Sequence, residues 1–413
     1  MSKAGKSMDQ LDVIRIREDF PVLGREVNGH PLVYLDSAAT SQKPRQMIER
    51  LSDLYSHEYA RVEEGHTLSK EATEVFEGTR AKVAKLINAS EPREIIFCRG
   101  ATEALNLVSR CFEQDSLGEG DEILVTEAEH HSNILPWLLA CRTRGAKLRA
   151  VPITHEGDLD LGAFERMLND RVRLVGVTHM SNVTGAVYPV REVTAMARAR
   201  GIPVMVDGAQ AAPHMPVDVR EIGCDFYAGS GHKMGGPSSV GFLYGRAEML
   251  ERLPAADGGS TMAESVSFDD FKPKPLPHKY EAGEPAFGEV EAWGAALDYW
   301  DEIGLERIAS YEKGLTDYAL KRLSPIDGVR VLGDPAERLS IISFTVEGKK
   351  PKDVEKALDE EGIAVRAGKL EAEPLLKALG TDEAVRASFM FYNTYEEADM
   401  LAAALEKITG SAD

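Results

Sequence analysis

Between residue 30 and about residue 245, short runs rich in apolar and β-branched residues alternate with amphipathic stretches. This alternation is typical of parallel strands joined by crossover helices. The predicted strands are 32–36, 93–99, 121–129, 173–181, 202–209, 225–230 and 240–245. Several of these runs end in a polar cluster, and an open α/β sheet binds its ligands at the carboxyl ends of its strands. We therefore expect the functional site at that edge.

The C-terminal part predicts a second, smaller α+β domain. Residues 289–303 place Val290, Trp293, Leu297 and Trp300 at helical spacing, which predicts a helix leaving the large domain. We predict an N-terminal segment over 1–29 that packs on the small domain, a large domain over 30–297 and a small domain over 298–413. A segment rich in Gly, Pro and Ser, 254–287, is expected to form an irregular loop over the site.

Charge and cysteine content exclude several classes of function. The 413 residues include 48 basic and 68 acidic side chains, and the net charge of −20 opposes binding to nucleic acid or an anionic membrane. No run approaches the ~20 apolar residues of a membrane helix, and the first ten residues lack a signal-peptide core, so we expect a cytoplasmic protein. The four cysteines are far apart, which disfavours a disulfide framework or zinc site.

The segment YAGSGHKMGGPSSVG (227–241) runs from an apolar strand into Ser230, His232 and Lys233. A lysine there is either an ordinary loop residue or a functional amine. A functional Lys233 has a pKa lowered by burial and forms a Schiff base with a carbonyl compound.

Three other strand ends supply partners for such an amine. Asp207 ends a buried strand, where a carboxylate needs a cationic or hydrogen-bonding partner, and Gln210 follows it. After the strand that ends near Gly100, residues 101–103 open a helix whose N–H groups and hydroxyl suit a phosphate, although many βα turns look alike. His130 follows a third strand, where it either stacks on a flat ring or has a structural or metal-binding role. A metal is disfavoured because adjacent His130 and His131 point apart.

Together these features describe a pocket for pyridoxal 5′-phosphate (PLP). The sequence resembles the fold type I PLP-dependent transferases of the class V aminotransferase superfamily, and most closely their cysteine desulfurase and selenocysteine lyase branch. The resemblance runs from YLDSAATSQKP (34–44) through EHHSNILPW, VDGAQ and SGHKMGGPSSVGFLYG to VRASFMFYNTYEEAD (385–399). It implies an α/β fold with a mainly parallel central sheet, a smaller α+β C-terminal domain and a homodimer.

The resemblance also implies roles for individual residues. Lys233 would hold the cofactor and act as general base, Asp207 would pair with its pyridinium nitrogen, and Gln210 would reach its phenolic oxygen. His130 would stack on its ring. The remaining residues would bind the phosphate (Ala101, Thr102, Ser230 and His232) or the substrate (Asn182, Arg386, Arg366 and Glu371).

One departure from the family concerns the reaction itself. Its desulfurases carry a loop cysteine, in a pattern like R-x-G-x-x-C-A-x-P-L, that takes the substrate sulfur as a persulfide. Here the segment reads VRAGKLEAEPLL (365–376), with Glu371 at the position of the cysteine. A carboxylate cannot accept sulfur in this way. The chain's own cysteines, Cys98, Cys111, Cys141 and Cys224, are predicted to lie in the core.

Other departures concern the rim of the pocket. A family H-R-G segment becomes VEEGHTLS (62–69), and Glu284 replaces a family threonine that gives a phosphate contact from the partner subunit. Ser260 or Thr261 is a candidate substitute. If two or more of Glu63, Glu64, Glu284 and Glu371 lined the rim, they would favour a substrate with a cationic or polyhydroxyl appendage.

The sequence thus predicts a PLP-dependent enzyme acting at Cα of an amino acid. The leading hypothesis is a C–S β-lyase acting on cysteine or an S-substituted cysteine without a persulfide cysteine. One alternative keeps the cofactor but transaminates, epimerises or oxidatively deaminates and decarboxylates a cysteine conjugate. Another is a desulfurase or selenocysteine lyase that uses an external thiol, and a fourth is a non-catalytic scaffold.

Overall fold

The computed structural model describes residues 11–63 and 65–410. Its strands are β1 (Glu26–Val27), β2 (His30–Pro31), β3 (Val33–Tyr34), β4 (Ile95–Cys98), β5 (Glu122–Thr126), β6 (Lys147–Val151), β7 (Val172–Thr178), β8 (Val204–Asp207), β9 (Phe226–Ser230), β10 (Gly241–Gly245), β11 (Ala263–Val266), β12 (Phe271–Pro273), β13 (Val329–Val331), β14 (Ile341–Val346), β15 (Ile363–Ala364), β16 (Arg366–Gly368) and β17 (Ala384–Ser388). Its α-helices are α1 (Val13–Glu18), α2 (Arg45–Asp53), α3 (Thr67–Leu86), α4 (Ala101–Asp115), α5 (Leu135–Arg144), α6 (Leu161–Met167), α7 (Val190–Arg198), α8 (Val219–Ile222), α9 (Ala247–Arg252), α10 (Phe287–Ile303), α11 (Leu305–Leu323), α12 (Pro351–Glu360), α13 (Glu373–Ala378) and α14 (Tyr395–Thr409). Short 3-10 helices cover Pro21–Gly24, Pro92–Glu94, His131–Asn133, Gly231–Lys233 and His278–Tyr280, and a π-helical turn covers Leu54–Glu58.

Seven strands form the central sheet in the order β4-β10-β9-β8-β7-β5-β6. Strands β5 to β9 pair in parallel, whereas β10 is antiparallel to both of its neighbours. Every residue of β8, β9 and β10 is buried, as expected of strands covered on both faces. The predicted α/β fold with a mainly parallel sheet is confirmed.

Two strands differ from the expectation drawn from the sequence. The predicted strand 32–36 yields β3, which pairs in parallel with β15 instead of joining the central sheet. Strand β6, at the sheet edge, is not predicted by the pattern. Only its last residue, Val151, is buried, and two basic residues interrupt its short sequence KLRAV, so no continuous apolar run marks it.

The C-terminal part contains an antiparallel sheet in the order β13-β14-β17-β16, with α11, α12 and α14 contributing to its apolar core. The four residues predicted to form the buried face of α10 are all buried, and this helix continues through residue 297 to Ile303. From the N-terminal segment, Phe20 packs against Tyr299, Phe391 and Tyr392. The domain limits at residues 30 and 297 remain predictions.

The structure also bears on membranes and metals. Within residues 11–63 and 65–410, no helix combines the length and apolarity needed to span a bilayer. Over the same ranges, no three His, Cys, Asp or Glu side chains form a group suited to a metal ion.

Candidate active site

A cavity of about 640 Å³ lies where β7, β8 and β9 end, and residues from the C-terminal part complete its wall. All twelve site residues predicted from the sequence line this cavity. They are Ala101, Thr102, His130, Asn182, Asp207, Gln210, Ser230, His232, Lys233, Arg366, Glu371 and Arg386. Their roles remain predictions, but the structure brings them together.

Lys233 ends the 3-10 turn that follows β9. The turn is held because the carbonyl of His232 accepts hydrogen bonds from Thr40 Oγ1 at 3.0 Å and Lys43 Nζ at 2.8 Å. Burial lowers the pKa of Lys233 from 10.5 to about 8. The charges of Asp207 and, more weakly, Glu371 oppose this shift, and the charge of Arg386 adds to it. The amine is therefore more often neutral, and hence nucleophilic, than an exposed lysine.

Asp207 is the last residue of β8 and is only 5% exposed. Its Oδ1 accepts a hydrogen bond from the Ala209 N–H at 3.0 Å. The intervening residue must be glycine, because a Cβ on Gly208 would lie 2.0 Å from the Tyr227 ring. The local sequence thus holds a buried carboxylate at the sheet edge, where it needs a cationic or hydrogen-bonding partner.

The start of α4 forms another end of the cavity. Gly100 precedes the helix with a φ of +141°, and the Ala101 N–H donates to Ser230 Oγ at 2.9 Å. Thr102 Oγ1 lies 2.8 Å from Ser132 Oγ. The backbone N–H groups and hydroxyls at the start of this 15-residue helix favour an anion such as a phosphate.

Gln210 and His232 both have polar side-chain atoms that are not fully engaged in hydrogen bonds among the described residues. Gln210 Nε2 donates to the Ala38 carbonyl at 2.9 Å, while its buried Oε1 has no partner in the described part of the chain. Burial, with help from Lys233 and Lys43, lowers the pKa of His232 to about 4, so its ring is neutral near pH 7.

His130 is placed by contacts on both ring nitrogens. The Ser132 backbone N–H donates to Nδ1 at 3.1 Å, and Nε2 lies 2.6 Å from Glu371 Oε2. Burial and then the charge of Lys233 lower the pKa of His130, although Asp207 and Glu371 oppose that shift.

Glu371 belongs to a loop, residues 369–372, between β16 and α13, that is fixed against this part of the cavity. Its carbonyl accepts the His131 N–H at 2.9 Å, and the Leu370 carbonyl accepts Asn182 Nδ2 at 2.8 Å. Two residues further, Glu373 contacts His131 Nε2. The loop is thus tied to the strand ends through its backbone as well as its side chains.

Two arginines share a carboxylate that the sequence did not single out. Asp36 accepts a bidentate pair from Arg366, at 3.1 and 2.8 Å, and a further contact from Arg386 at 3.3 Å. Arg386 also donates to the Asn182 carbonyl at 2.9 Å, and its buried Nε has no partner among the described residues. Its guanidinium therefore has unused capacity for an acceptor such as a carboxylate.

The remaining acidic candidates lie elsewhere. Glu284 pairs with Arg61 at 2.9 Å and Glu63 pairs with Lys274 at 2.7 Å, and both line a second cavity rather than this one. Glu64 lies outside the described residues. Among the described acidic candidates, only Glu371 lines the site cavity. The described residues therefore do not form the rim with two or more of these glutamates that would favour a cationic or polyhydroxyl substrate.

The segment 254–287 differs from its expectation. It contains the hairpin β11–β12 and a 3-10 helix, and none of its residues lines the site cavity. Thr261 directs its hydroxyl to backbone carbonyls, including that of Glu281 at 2.9 Å.

All four cysteines are buried, and none lines the site cavity. Burial raises the pKa of Cys111 to about 12 and that of Cys141 to about 11, and it also raises the pKa values of Cys98 and Cys224. A thiol must ionise to act as a nucleophile, so these residues behave as core side chains.

Comparison with known proteins places this geometry in a family. The model of the aminotransferase class-V family matches residues 33–401. The chain belongs to the class-V aminotransferase family. A probable cysteine desulfurase of Halalkalibacterium halodurans is 46% identical over 398 residues, covering 96% of this chain and 98% of the relative. The resemblance inferred from the sequence is confirmed.

Solved structures agree with this family assignment. The cysteine desulfurase CsdA from Escherichia coli, an S-sulfonic acid form, has a TM-score of 0.90 and 35% identity, covering 98% of this chain and 100% of that one. The apo cysteine desulfurase from Thermococcus onnurineus has a TM-score of 0.91 and 34% identity, with 99% and 100% covered.

This class-V family member is a PLP-dependent enzyme, as predicted. The described residues fit that cofactor. The unpartnered Gln210 Oε1, the buried Asp207 carboxylate, the Lys233 amine and the N-terminus of α4 all meet at one cavity. Each suits a different part of an aromatic aldehyde that carries a phosphate and a ring nitrogen.

Proposed function

We propose that the protein is a C–S β-lyase that releases the sulfur of cysteine as sulfide and that of an S-substituted cysteine as a free thiol. The names of the relatives support cleavage at a C–S bond of cysteine. The observation that carries the release of free thiol is Glu371, which lies 2.6 Å from His130 in a cavity that no cysteine lines. A carboxylate at this position cannot retain sulfur as a persulfide.

The residues divide the work as follows. Lys233 holds the cofactor and then takes the proton from Cα of the substrate. When bound, PLP supplies an electron sink for the charge that develops at Cα. Asp207 favours the protonated ring nitrogen, and the start of α4 with Thr102 and Ser230 holds the phosphate. Arg386, aided by Asn182, orients the substrate carboxylate.

The proposal is tested with PLP-loaded protein and three substrates: cysteine, an S-alkylcysteine and an S-arylcysteine. We expect pyruvate to appear with an equal amount of sulfide from cysteine, or of thiol from the other two substrates, and mass spectrometry should find no sulfur bound to the protein. Lys233→Ala is the control and should release neither product. A persulfide on one of the four cysteines, or a keto acid that still carries sulfur, would contradict the proposal; the second outcome would indicate transamination.

We also infer that the protein works as a homodimer in the cytoplasm. Val266, Phe268 and Phe271 on the hairpin β11–β12 are 75%, 111% and 48% exposed, which supports a protein contact there. Four free cysteines suit a reducing compartment. Light scattering should give twice the chain mass for the wild type and a lower mass for Phe268→Asp; equal masses corresponding to one chain would contradict the dimer.

A further inference from the structure

The proton on the His130 ring has a fixed position. A backbone N–H can only donate, so the bond from Ser132 leaves Nδ1 as the acceptor. In a neutral ring the proton is then on Nε2, where it is donated to Glu371 Oε2. Since burial and Lys233 lower the pKa of His130, the neutral ring is the favoured form.

Glu371 uses only one of its oxygens in this contact. Among the described residues, Oε1 has no hydrogen-bond donor, and the side chain is 70% exposed while lining the cavity. The carboxyl group therefore touches both the neutral ring and water. Its Oε1 can therefore contact a group in the cavity while Oε2 keeps the contact to His130.

The departing sulfur needs a proton that other groups cannot easily give. Lys233 is occupied with the Cα proton, and the Nε2 proton of His130 is directed to Glu371. At the rim, Lys352 pairs with Glu355 at 2.7 Å and Lys369 lies 3.7 Å from Glu373. The arginines of the cavity do not give up protons near neutral pH.

We propose that Glu371 is the general acid that protonates the departing sulfur, an inference that rests on the proposed function. Lys233 Nζ takes the Cα proton, and the electron pair of that C–H bond forms the Cα=Cβ double bond. The Cβ–S bond breaks with its electron pair going to sulfur, and the Glu371 Oε1–H bond breaks as the S–H bond forms. Water then returns a proton to Glu371, and Lys233 releases its own.

The test compares two leaving groups in Glu371→Gln. Glutamine still accepts the His130 Nε2–H but has no acidic proton, so the variant separates proton donation from positioning. We expect kcat/KM for an S-alkylcysteine to fall about 100-fold, within the range of general acid catalysis. For an S-nitroarylcysteine, whose thiolate is stable without a proton, it should change less than about 3-fold.

The control is Glu360→Gln, which makes the same charge change on the exposed face of α12, outside the cavity, and should change neither rate. A readout independent of activity is ¹⁵N NMR of the His130 ring in the cofactor-free protein. It should show a protonated Nε2 and an unprotonated Nδ1 in wild type and Glu371→Gln.

Two results would overturn the inference while leaving the proposed function intact. The first is an equal loss of rate for both leaving groups in Glu371→Gln, which would indicate that Glu371 only positions the substrate. The second is a His130 ring protonated on Nδ1. If the wild type released no thiol from either substrate, the proposed function would fail, and the role of Glu371 as an acid would fail with it.

Discussion

At the scale of the residue, Leu370 and Glu371 both have a φ of +54°, and backbone contacts to Asn182 and His131 hold them there. The position of the side chain at 371 is therefore set by the loop rather than by its own charge. A shorter side chain placed there would still face the same part of the cavity.

This placement predicts the outcome of Glu371→Cys. The new thiol should take sulfur from cysteine, so that the variant gains the mass of one sulfur atom on residue 371 after incubation with the substrate. Glu373→Cys, at the first residue of α13 and outside the cavity, is the matched control and should gain none. Equal sulfur on both variants would show that position 371 has no special access to the substrate.

The pKa of Lys233 gives a prediction of pH dependence. Because burial lowers this pKa to about 8, the neutral amine should become abundant as the pH rises through about 8 rather than through 10.5. Trace labelling of the cofactor-free protein with acetic anhydride, followed by peptide mapping, measures this midpoint. Asp207→Asn removes an attractive charge and should lower the midpoint further, whereas a wild-type midpoint near 10 would contradict the prediction.

Sequence reasoning located individual site residues better than their contacts. Lys233, Asp207 and His130 each lie at or just after the end of a strand that the sequence pattern predicts. Their position at the same edge of the sheet is therefore predictable. The contact between His130 and Glu371 joins residues 241 positions apart, and no local pattern encodes it. Asp36 was missed for the same reason, since its partners Arg366 and Arg386 lie more than 300 residues away.

At the scale of the element, the turn into α4 predicts the effect of Gly100→Ala. A Cβ there would lie 3.3 Å from Ser230 Oγ, and φ of +141° strains any other residue. We expect PLP to bind at least about 10-fold more weakly, consistent with about 1–3 kcal/mol of strain. Titration of the cofactor-free protein with PLP measures this.

The control for that variant is Gly78→Ala within α3, where a Cβ would meet nothing within 4 Å. Alanine favours a helix over glycine by up to about 1 kcal/mol, so stability should rise slightly with PLP affinity unchanged. Similar PLP affinities for the two variants would show that the backbone at Gly100 does not shape the phosphate end.

The sequence predicts that a strand exists where both of its faces are buried, but it does not predict which strand it pairs with. β8 and β9 read as continuous apolar runs because both of their faces are covered. β3 reads equally well as a strand, yet its partner is β15, which the sequence places more than 300 residues away. The pattern therefore predicted that the strand exists but assigned it to the wrong sheet.

At the scale of the whole molecule, the cavity draws its residues from two distant parts of the chain. Asp207 and Lys233 lie at and just after strand ends of the central sheet, whereas Glu371 and Arg386 come from the C-terminal part. Between them, Glu312 on α11 binds His214 Nδ1 at 2.7 Å and also accepts from Ser340, with both ionisable side chains at most 1% exposed.

Removing one member of this buried group should loosen the whole molecule. Glu312→Ala leaves His214 and Ser340 without their acceptor in the core, where losing one partner of a buried pair costs about 3–5 kcal/mol. Chemical denaturation should show this loss. Asp317→Ala, which breaks an exposed pair with Lys313 on the same helix, should change stability by less than about 1 kcal/mol. If the two variants lost equal stability, the buried group would contribute no more to folding than an exposed ion pair does.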